Sequence, residues 1–405
     1  MTDVVIVGAG QAGCQVAASL REEGFTGGIT LLGAEEHVPY QRPPLSKGHL
    51  TGKTQRDKLF LRTDTWFAEQ DITLRLGCAV AEIDRDARKL RLGDGELVGY
   101  DVLVLATGSR HRELEVPGRD LDGVLALRTL CEADALRERL AAARDVVVIG
   151  GGFIGLEVAA TAAGMGLPTT VLELGPRLMG RVLSEPTADF LLAAHRSRGV
   201  RVELCTGVRG MAGLHGTVMS VTTSAGEVIP ADLVLLGVGA LAEDTLAGAA
   251  GLTTDQGIVV DESLRTSDPA IHAIGDCARV VSPWAGGASV RLESVQNAVD
   301  QARCVAKHIV GNAEPYTALP WFWSDQGDLK VQIAGLTQGH HRTVRVGSAE
   351  AFSVWCFADD RLVGVETVNS VKDHLTARKI LAAGVPLTPA DVAAEGFDPK
   401  AALLA

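Results

Sequence analysis

The sequence predicts an α/β protein in which two wound βαβ units on parallel sheet are completed by a smaller α+β domain. Three observations in the 405 residues carry this. A β-branched run, Val4 to Val7, enters Gly8-Ala9-Gly10-Gln11-Ala12-Gly13. A second run, Val146 to Ile149, enters Gly150-Gly151-Gly152-Phe153-Ile154-Gly155, with Gly8 and Gly150 142 residues apart. From Leu329 to Val368, apolar and polar residues alternate as in antiparallel strands.

In chain order, the first turn is followed by a helical stretch, Gln15 to Glu23, and a strand, Ile29 to Leu32. The first glycine of such a turn permits the tight bend, the second lets backbone approach a pyrophosphate, and the third lets helix pack on strand. The helix N-terminus then offers unpaired N–H groups and the positive end of its dipole to phosphate. An acid, Glu35, follows the second strand. Tyr100 to Gly108 reads as a buried strand ending in the small-residue turn Ala106-Thr107-Gly108. After the second turn come a helical stretch, Leu156 to Gly164, and a strand from Thr169 to Glu173 that ends on its own acid. A strand from Asp232 to Leu236 runs into Gly237-Val238-Gly239, and Ile271 to Ile274 runs into Gly275-Asp276. The alternating segments Lys330 to Ile333 and Arg342 to Val346 are followed by a helix, Ser370 to Ala383. The repeat therefore predicts two Rossmann-like dinucleotide-binding domains plus the C-terminal α+β domain.

Composition narrows the function classes. With 46% hydrophobic and 22% charged residues, the chain can bury cores and is not a disordered or low-complexity protein. No apolar run approaches the roughly 18 residues of a membrane span, and no basic leader precedes Val4, so a cytoplasmic protein without a membrane partner is expected. A net charge of −12 argues against nucleic acid as a partner. Seven cysteines, never closer than 27 residues, fit neither a disulfide framework nor a metal site, so reduced core thiols are expected. Against this acidity, Arg42, Lys47, Lys53, Arg56, Lys58 and Arg62 face only Asp57, which reads as a solvated loop face or as a cationic patch able to steer an acidic carrier.

Beyond these patterns the chain resembles a known family. The two glycine turns, Ala106-Thr107-Gly108, Gly275-Asp276 and the C-terminal domain are similar to the two-dinucleotide flavoprotein reductases of the glutathione-reductase fold. Within them, Pro39 to Lys47 (PYQRPPLSK), Arg291 to Asn297 (RLESVQN) and Trp321 to Gln326 (WFWSDQ) resemble the FAD-dependent NADH:ferredoxin reductases of oxygenase systems, the putidaredoxin reductase-like and Rieske dioxygenase group. The likeness covers essentially the whole chain. It implies an FAD domain in residues 1–110 and 242–320, an inserted NAD domain in 111–241 and a C-terminal interface domain in 321–405.

The resemblance also implies roles. Gly8, Gly10, Gly13, Glu35, Arg42, Thr107, Gly108, Arg128, Asp276, Glu293, Ser294 and Val295 are expected to contact FAD, with Glu35 at the adenosine ribose and Asp276 at the ribityl chain. Gly150, Gly152, Phe153, Ile154, Gly155, Glu173, Arg181 and Gly239 are expected at the nicotinamide nucleotide. A carboxylate at Glu173 accepts from a 2′-hydroxyl and repels a 2′-phosphate, so NADH is expected over NADPH, although Arg177 and Arg181 offset that repulsion. Lys47 and Glu157 are expected as an ion pair, either beside flavin N5 or as a structural tie between the nucleotide domains. Trp323, or Trp321, stands near the flavin or in the core of the C-terminal domain. One departure stands out: after Gly239 the family continues with proline and asparagine, whereas this chain reads Ala240-Leu241-Ala242-Glu243-Asp244.

Relatives that reduce disulfides or peroxides need a thiol near the first nucleotide site, and no cysteine lies between Cys14 and Cys78. Electrons are thus expected to leave straight from the flavin to a [2Fe-2S] ferredoxin that serves a haem-thiolate monooxygenase or a Rieske dioxygenase. A monomer or weak homodimer and no metal site of its own are expected. The alternatives are a rubredoxin reductase, or a nicotinamide-sensing flavoprotein of the apoptosis-inducing-factor type.

Overall fold

The run Val4–Val7 is buried throughout because strands flank it on both sides. In the computed structural model, which describes residues 2–404, it pairs in parallel with Ile29–Leu32 and with Val102–Leu105. Ile271–Ala273 and Ile72–Arg75 complete a five-stranded parallel sheet. A strand buried on both faces has no polar side, which explains why Val4–Val7 and Val102–Leu105 read as continuous apolar runs rather than alternating ones. Helices Gln11–Glu22 and Val295–Ile309 pack on each other, and Val16, Leu20, Ala302 and Val305 join the sheet residues in one core. This first compact unit comprises residues 2–41, 56–110 and 240–320.

The second unit comprises residues 42–55, 111–239 and 321–404. Its parallel sheet repeats the design in the order Val200–Glu203, Thr169–Leu172, Val146–Ile149, Leu233–Leu236 and Val124–Leu125. The C-terminal domain is a five-stranded antiparallel sheet, Trp321–Gln326, Leu329–Gly335, Arg361–Val368, Phe352–Ala358 and Arg342–Gly347, covered by helix Val371–Ala383. Glu366 on that sheet is fully buried and caps helix Glu185–Ser197: its two oxygens accept the Ser184 N–H (2.8 Å) and the Ser184 hydroxyl (2.6 Å). A carboxylate at a helix N-terminus is favoured by both hydrogen bonding and the dipole.

The α/β class and the C-terminal antiparallel sheet agree with expectation, and the element bounds differ in an instructive way. Both fingerprint helices begin earlier than the periodicity suggests, at Gln11 and Phe153, because Gly10 and Gly152 are their N-caps and the third glycine already lies inside the first turn. Ser370 caps the C-terminal helix and does not open it. The antiparallel sheet starts at Trp321, eight residues before the alternation is legible, since its first strand carries three aromatic residues in a row. Core burial of the thiols holds for Cys14, Cys277 and Cys356 but not for Cys131 and Cys205, which are exposed. Burial pushes the Cys14 thiol up to about 11 and raises that of Cys277, so neither is a ready nucleophile. Among the described residues no helix is long and apolar enough to cross a membrane and no cluster of ligating side chains could hold a metal ion.

Two buried histidines make the fold acid-sensitive. Desolvation pulls His272 down to about 4, helped by neighbouring His308, and pulls His374 down to about 4, helped by the Arg378 guanidinium. Both are neutral when folded and take up a proton below about pH 6.5 when unfolded. Their contribution is therefore fully present above pH 6.5 and falls away as the pH drops toward 4, by about 2 kcal/mol each at pH 5. We expect the thermal midpoint to fall between pH 7 and pH 5, and His374→Phe to reduce that fall; an unchanged fall in the variant would show that other groups set the acid dependence.

Candidate functional site

Each glycine turn is shaped by what a side chain would strike. A Cβ on Gly8 would lie 2.2 Å from the Ala106 carbonyl oxygen, and one on Gly13 would lie 1.9 Å from that of Gly8. In the second turn, a Cβ on Gly150 would lie 2.3 Å from the Gly237 oxygen and one on Gly155 2.3 Å from that of Gly150. Gly8 and Gly150 also sit at φ of +110° and +109°, where side chains are strained. The middle glycines are different: nothing lies within 4 Å of a Cβ on Gly10 or Gly152. Neither helix N-cap carries a side-chain hydrogen bond to the first turn. Two helix ends thus present unpaired N–H groups to open space behind a turn that keeps backbone close, which fits a pyrophosphate at each.

Around the first turn, the structure gathers Glu35, Thr107, Gly108, Asp276, Glu293, Ser294 and Val295 within one unit. Glu35 lies beyond the end of strand Ile29–Leu32 and accepts the Tyr40 hydroxyl at 2.6 Å. Asp276 follows Gly275, whose N–H donates to Gln301 Oε1 at 2.7 Å, and accepts the Ser109 hydroxyl at 3.1 Å. Ser294 caps helix Val295–Ile309 by accepting the Asn297 N–H, and Glu293 pairs with Arg291 at 2.5 Å. The departing loop is braced at this site: Thr107 Oγ1 donates to the Glu243 carbonyl at 2.6 Å, and the Glu243 N–H donates to the Gly108 carbonyl at 2.9 Å. Ser109 and Gln301 escape sequence reasoning because each acts through one hydrogen bond to a residue distant in the chain, and Tyr40 because its bond to Glu35 crosses a loop without periodicity. Only Tyr40 lies in a motif that could have flagged it.

The second turn gathers Phe153, Ile154, Glu173, Arg181 and Gly239 within the other unit. Glu173 is held by two backbone donors, Gly151 N–H and Gly175 N–H, each at 2.6 Å from a separate oxygen. Gly239 lies beside Arg181: a Cβ on the glycine would stand 3.7 Å from Arg181 Nη2, and both residues are exposed. Ile154 is exposed, and Phe153 packs against Phe322 with ring centroids 4.5 Å apart and planes tilted by 46°.

Lys47 and Glu157 meet inside this second unit. Pro43 and Pro44 open a 3-10 turn, Pro43–Ser46, that delivers Lys47, while helix Phe153–Gly164 delivers Glu157. Lys47 Nζ stands 2.7 Å from Glu157 Oε2 and also donates to the Pro43 carbonyl at 3.0 Å. The same carboxylate accepts the Ser46 hydroxyl on Oε2 and the Ser324 hydroxyl on Oε1, the latter at 2.6 Å. Glu157 is 5% exposed, and its pairing offsets the cost of burying a charge. Arg42 and Arg128 are also brought together, Arg42 donating to the Arg128 carbonyl at the mouth of a capping box, Thr129 with Glu132, that starts helix Leu130–Ala142. On strand Trp321–Gln326, side chains alternate: Phe322 and Ser324 meet helix Phe153–Gly164, while Trp321 meets Trp323 at 5.6 Å and lies under the Arg378 guanidinium at 4.4 Å.

Comparison with known proteins gives this arrangement a family. Residues 2–302 match the pyridine nucleotide-disulphide oxidoreductase family, and residues 321–403 match the reductase C-terminal family. The chain is 50% identical to rhodocoxin reductase of Rhodococcus erythropolis over 402 residues, 99% of this chain and 94% of that one. It superposes on the crystal structure of the ferredoxin reductase for the CYP199A2 system of Rhodopseudomonas palustris with a TM-score of 0.97 and 46% identity, both chains fully covered. On the covalent putidaredoxin reductase–putidaredoxin complex the TM-score is 0.96 with 40% identity, covering 100% of this chain and 98% of that one. The chain belongs to the pyridine nucleotide-disulphide oxidoreductase family, as an FAD- and NAD(H)-dependent oxidoreductase with the C-terminal domain of the reductases.

Proposed function

We propose that the chain is an NADH-dependent reductase that passes single electrons to a [2Fe-2S] ferredoxin, which in turn supplies a haem-thiolate monooxygenase or a Rieske dioxygenase in the cytoplasm. Its working domains are those expected above, an FAD domain interrupted by an NAD domain and followed by an interface domain, in a monomer or weak homodimer. The observation that carries this reading is the pair of glycine turns with open middle positions, combined with 50% identity to rhodocoxin reductase over 99% of the chain. That relative and the reductase joined to putidaredoxin favour ferredoxin over rubredoxin as acceptor. Burial of Cys14 and Cys277 removes the thiol that disulfide chemistry needs.

When bound, the flavin supplies the conversion between a two-electron donor and a one-electron acceptor. The chain's own residues bind and orient. Gly10 and the amides behind it hold the FAD pyrophosphate, Glu35 takes the adenosine ribose in an orientation fixed by Tyr40, and Asp276 takes the ribityl chain. Arg42, Arg128, Thr107, Gly108, Glu293, Ser294, Val295 and Trp323 complete the FAD contacts. Gly152, Phe153, Ile154, Arg181 and Gly239 line the nicotinamide site, and Glu173 reads the ribose hydroxyls. Lys47 serves the isoalloxazine as a fixed cation, where it favours negative charge on the reduced ring, and Glu157 keeps it in place.

Mixed with NADH and an acidic [2Fe-2S] ferredoxin, the FAD-loaded protein should support rapid cytochrome c reduction that depends on the ferredoxin. Equal or faster turnover with rubredoxin would replace the acceptor named here. Lys47→Ala should retain FAD and slow its anaerobic reduction by NADH at least about tenfold, the scale of one lost charge-assisted contact; an unchanged rate would remove Lys47 from the flavin. Glu173→Gln should raise the ratio of NADPH to NADH use about tenfold, read as kcat/KM for each nucleotide. If the ratio stays put, another group sets the preference.

A further inference from the structure

Behind Glu157 runs a line of buried polar side chains that the proposed function does not use. Ser324 and Gln326 lie two apart on strand Trp321–Gln326 and so share a face. His195, on helix Glu185–Ser197, completes the line, and Ser324, Gln326 and His195 are all buried. Ser324 Oγ is 2.6 Å from Glu157 Oε1, Gln326 Nε2 is 3.4 Å from Ser324 Oγ, and His195 Nε2 is 2.8 Å from Gln326 Oε1.

The direction of every bond in this line follows from its first member. A carboxylate only accepts, so the Ser324 hydroxyl must donate to Glu157. Ser324 then has only lone pairs left, so Gln326 must turn its NH2 toward it and its carbonyl toward His195. That carbonyl requires a proton on His195 Nε2, which leaves Nδ1 as a bare acceptor. Nδ1 is indeed buried without a partner among the described residues, a state that costs less for a lone pair than for an N–H. Burial also holds the imidazole below its ordinary range against the opposing hydrogen bond to Gln326, so the ring is neutral at pH 7.

We infer that Ser324, Gln326 and His195 are positioning residues: a one-way chain of donors that ends on Glu157 and, through it, fixes the Lys47 ammonium. Aligned donors polarise one another, so the carboxylate meets more than one hydroxyl dipole. The consequence for flavin reduction rests on the role proposed for Lys47 and Glu157, whereas the chain's direction does not.

Two measurements test it. In FAD-loaded protein without NADH, 15N spectra of labelled histidine, with His195 assigned by its loss in His195→Gln, should show the neutral tautomer protonated at Nε2 at pH 7. A proton on Nδ1, or an imidazolium, overturns the chain whatever Lys47 does. In stopped-flow reduction by NADH, Ser324→Ala should slow flavin reduction about tenfold, Ser324→Thr should restore it to within about twofold, and in a Glu157→Gln background Ser324→Ala should cost less than about twofold. Equal effects of Ser324→Ala in both backgrounds would overturn the link to Glu157. If Lys47→Ala leaves the rate unchanged while His195 carries its proton on Nε2, the role of Lys47 falls and the donor chain stands.

Discussion

One buried carboxylate organises the second unit. Glu157 draws together a loop delivered by two prolines, the helix that follows the second glycine turn and the first strand of an antiparallel sheet. A carboxylate so buried is tolerated only when its lone pairs are matched, and removing one partner leaves the charge uncompensated, at a cost of about 3–5 kcal/mol. The three segments therefore hold each other in register. Thr161, one turn further along the same helix, donates to the Ser46 carbonyl at 3.0 Å and fixes the loop at a second point. His49 adds a third at 2.7 Å from Asp134, on the helix that Thr129 caps. Residues 42–55 belong with this unit for that reason, although in sequence they interrupt the other.

Much of the architecture was legible because it is local. A β-branched run, three glycines at fixed spacing and an acid after the next strand specify the turn by sterics alone, and the distances from Gly8, Gly13, Gly150 and Gly155 to their neighbours bear that out. The Lys47–Glu157 pair came only through family resemblance, since 110 residues separate its members and nothing in either neighbourhood announces the other. The partners of the functional acids were not legible. Ser109 to Asp276 and His195 to Gln326 are single contacts between distant segments, Tyr40 reaches Glu35 across an irregular loop five residues long, and no periodicity marks any of them. The exposure of Cys131 and Cys205 is not legible either: a cysteine's usual burial is a tendency of the residue, and the first turn of a helix and a loop after a strand override it.

The same physics also explains why the altered loop after Gly239 is tolerated. A proline there would fix one φ and remove one N–H. Here Ala240–Ala242 forms a short extended segment, and Glu243 uses both its backbone groups on the Thr107-Gly108 turn. The turn that lies beside the first dinucleotide site is thus held by backbone hydrogen bonds, which depend little on side-chain identity.

Two copies of one motif differ most in what surrounds them. Beside the first turn stands a second glycine turn bearing a carboxylate: a Cβ on Gly275 would come within 3.1 Å of Ala12 Cβ, and Gln301 and Ser109 hold its backbone and Asp276 in place. The strand in the corresponding position of the second sheet, Val124–Leu125, runs into Ala126-Leu127-Arg128 with no carboxylate, and Gly239, Arg181 and Ile154 at the second turn are exposed. A group that stays through many turnovers is held best by many oriented contacts, each reducing its rate of escape, whereas a donor that arrives and leaves in every cycle is served by fewer contacts and an open rim. The first site has the former construction and the second the latter. On the assignment proposed above, this is the division of labour expected of a resident flavin and an exchanging nicotinamide nucleotide, and it arises from the additions around a shared turn, since the turns themselves are built alike.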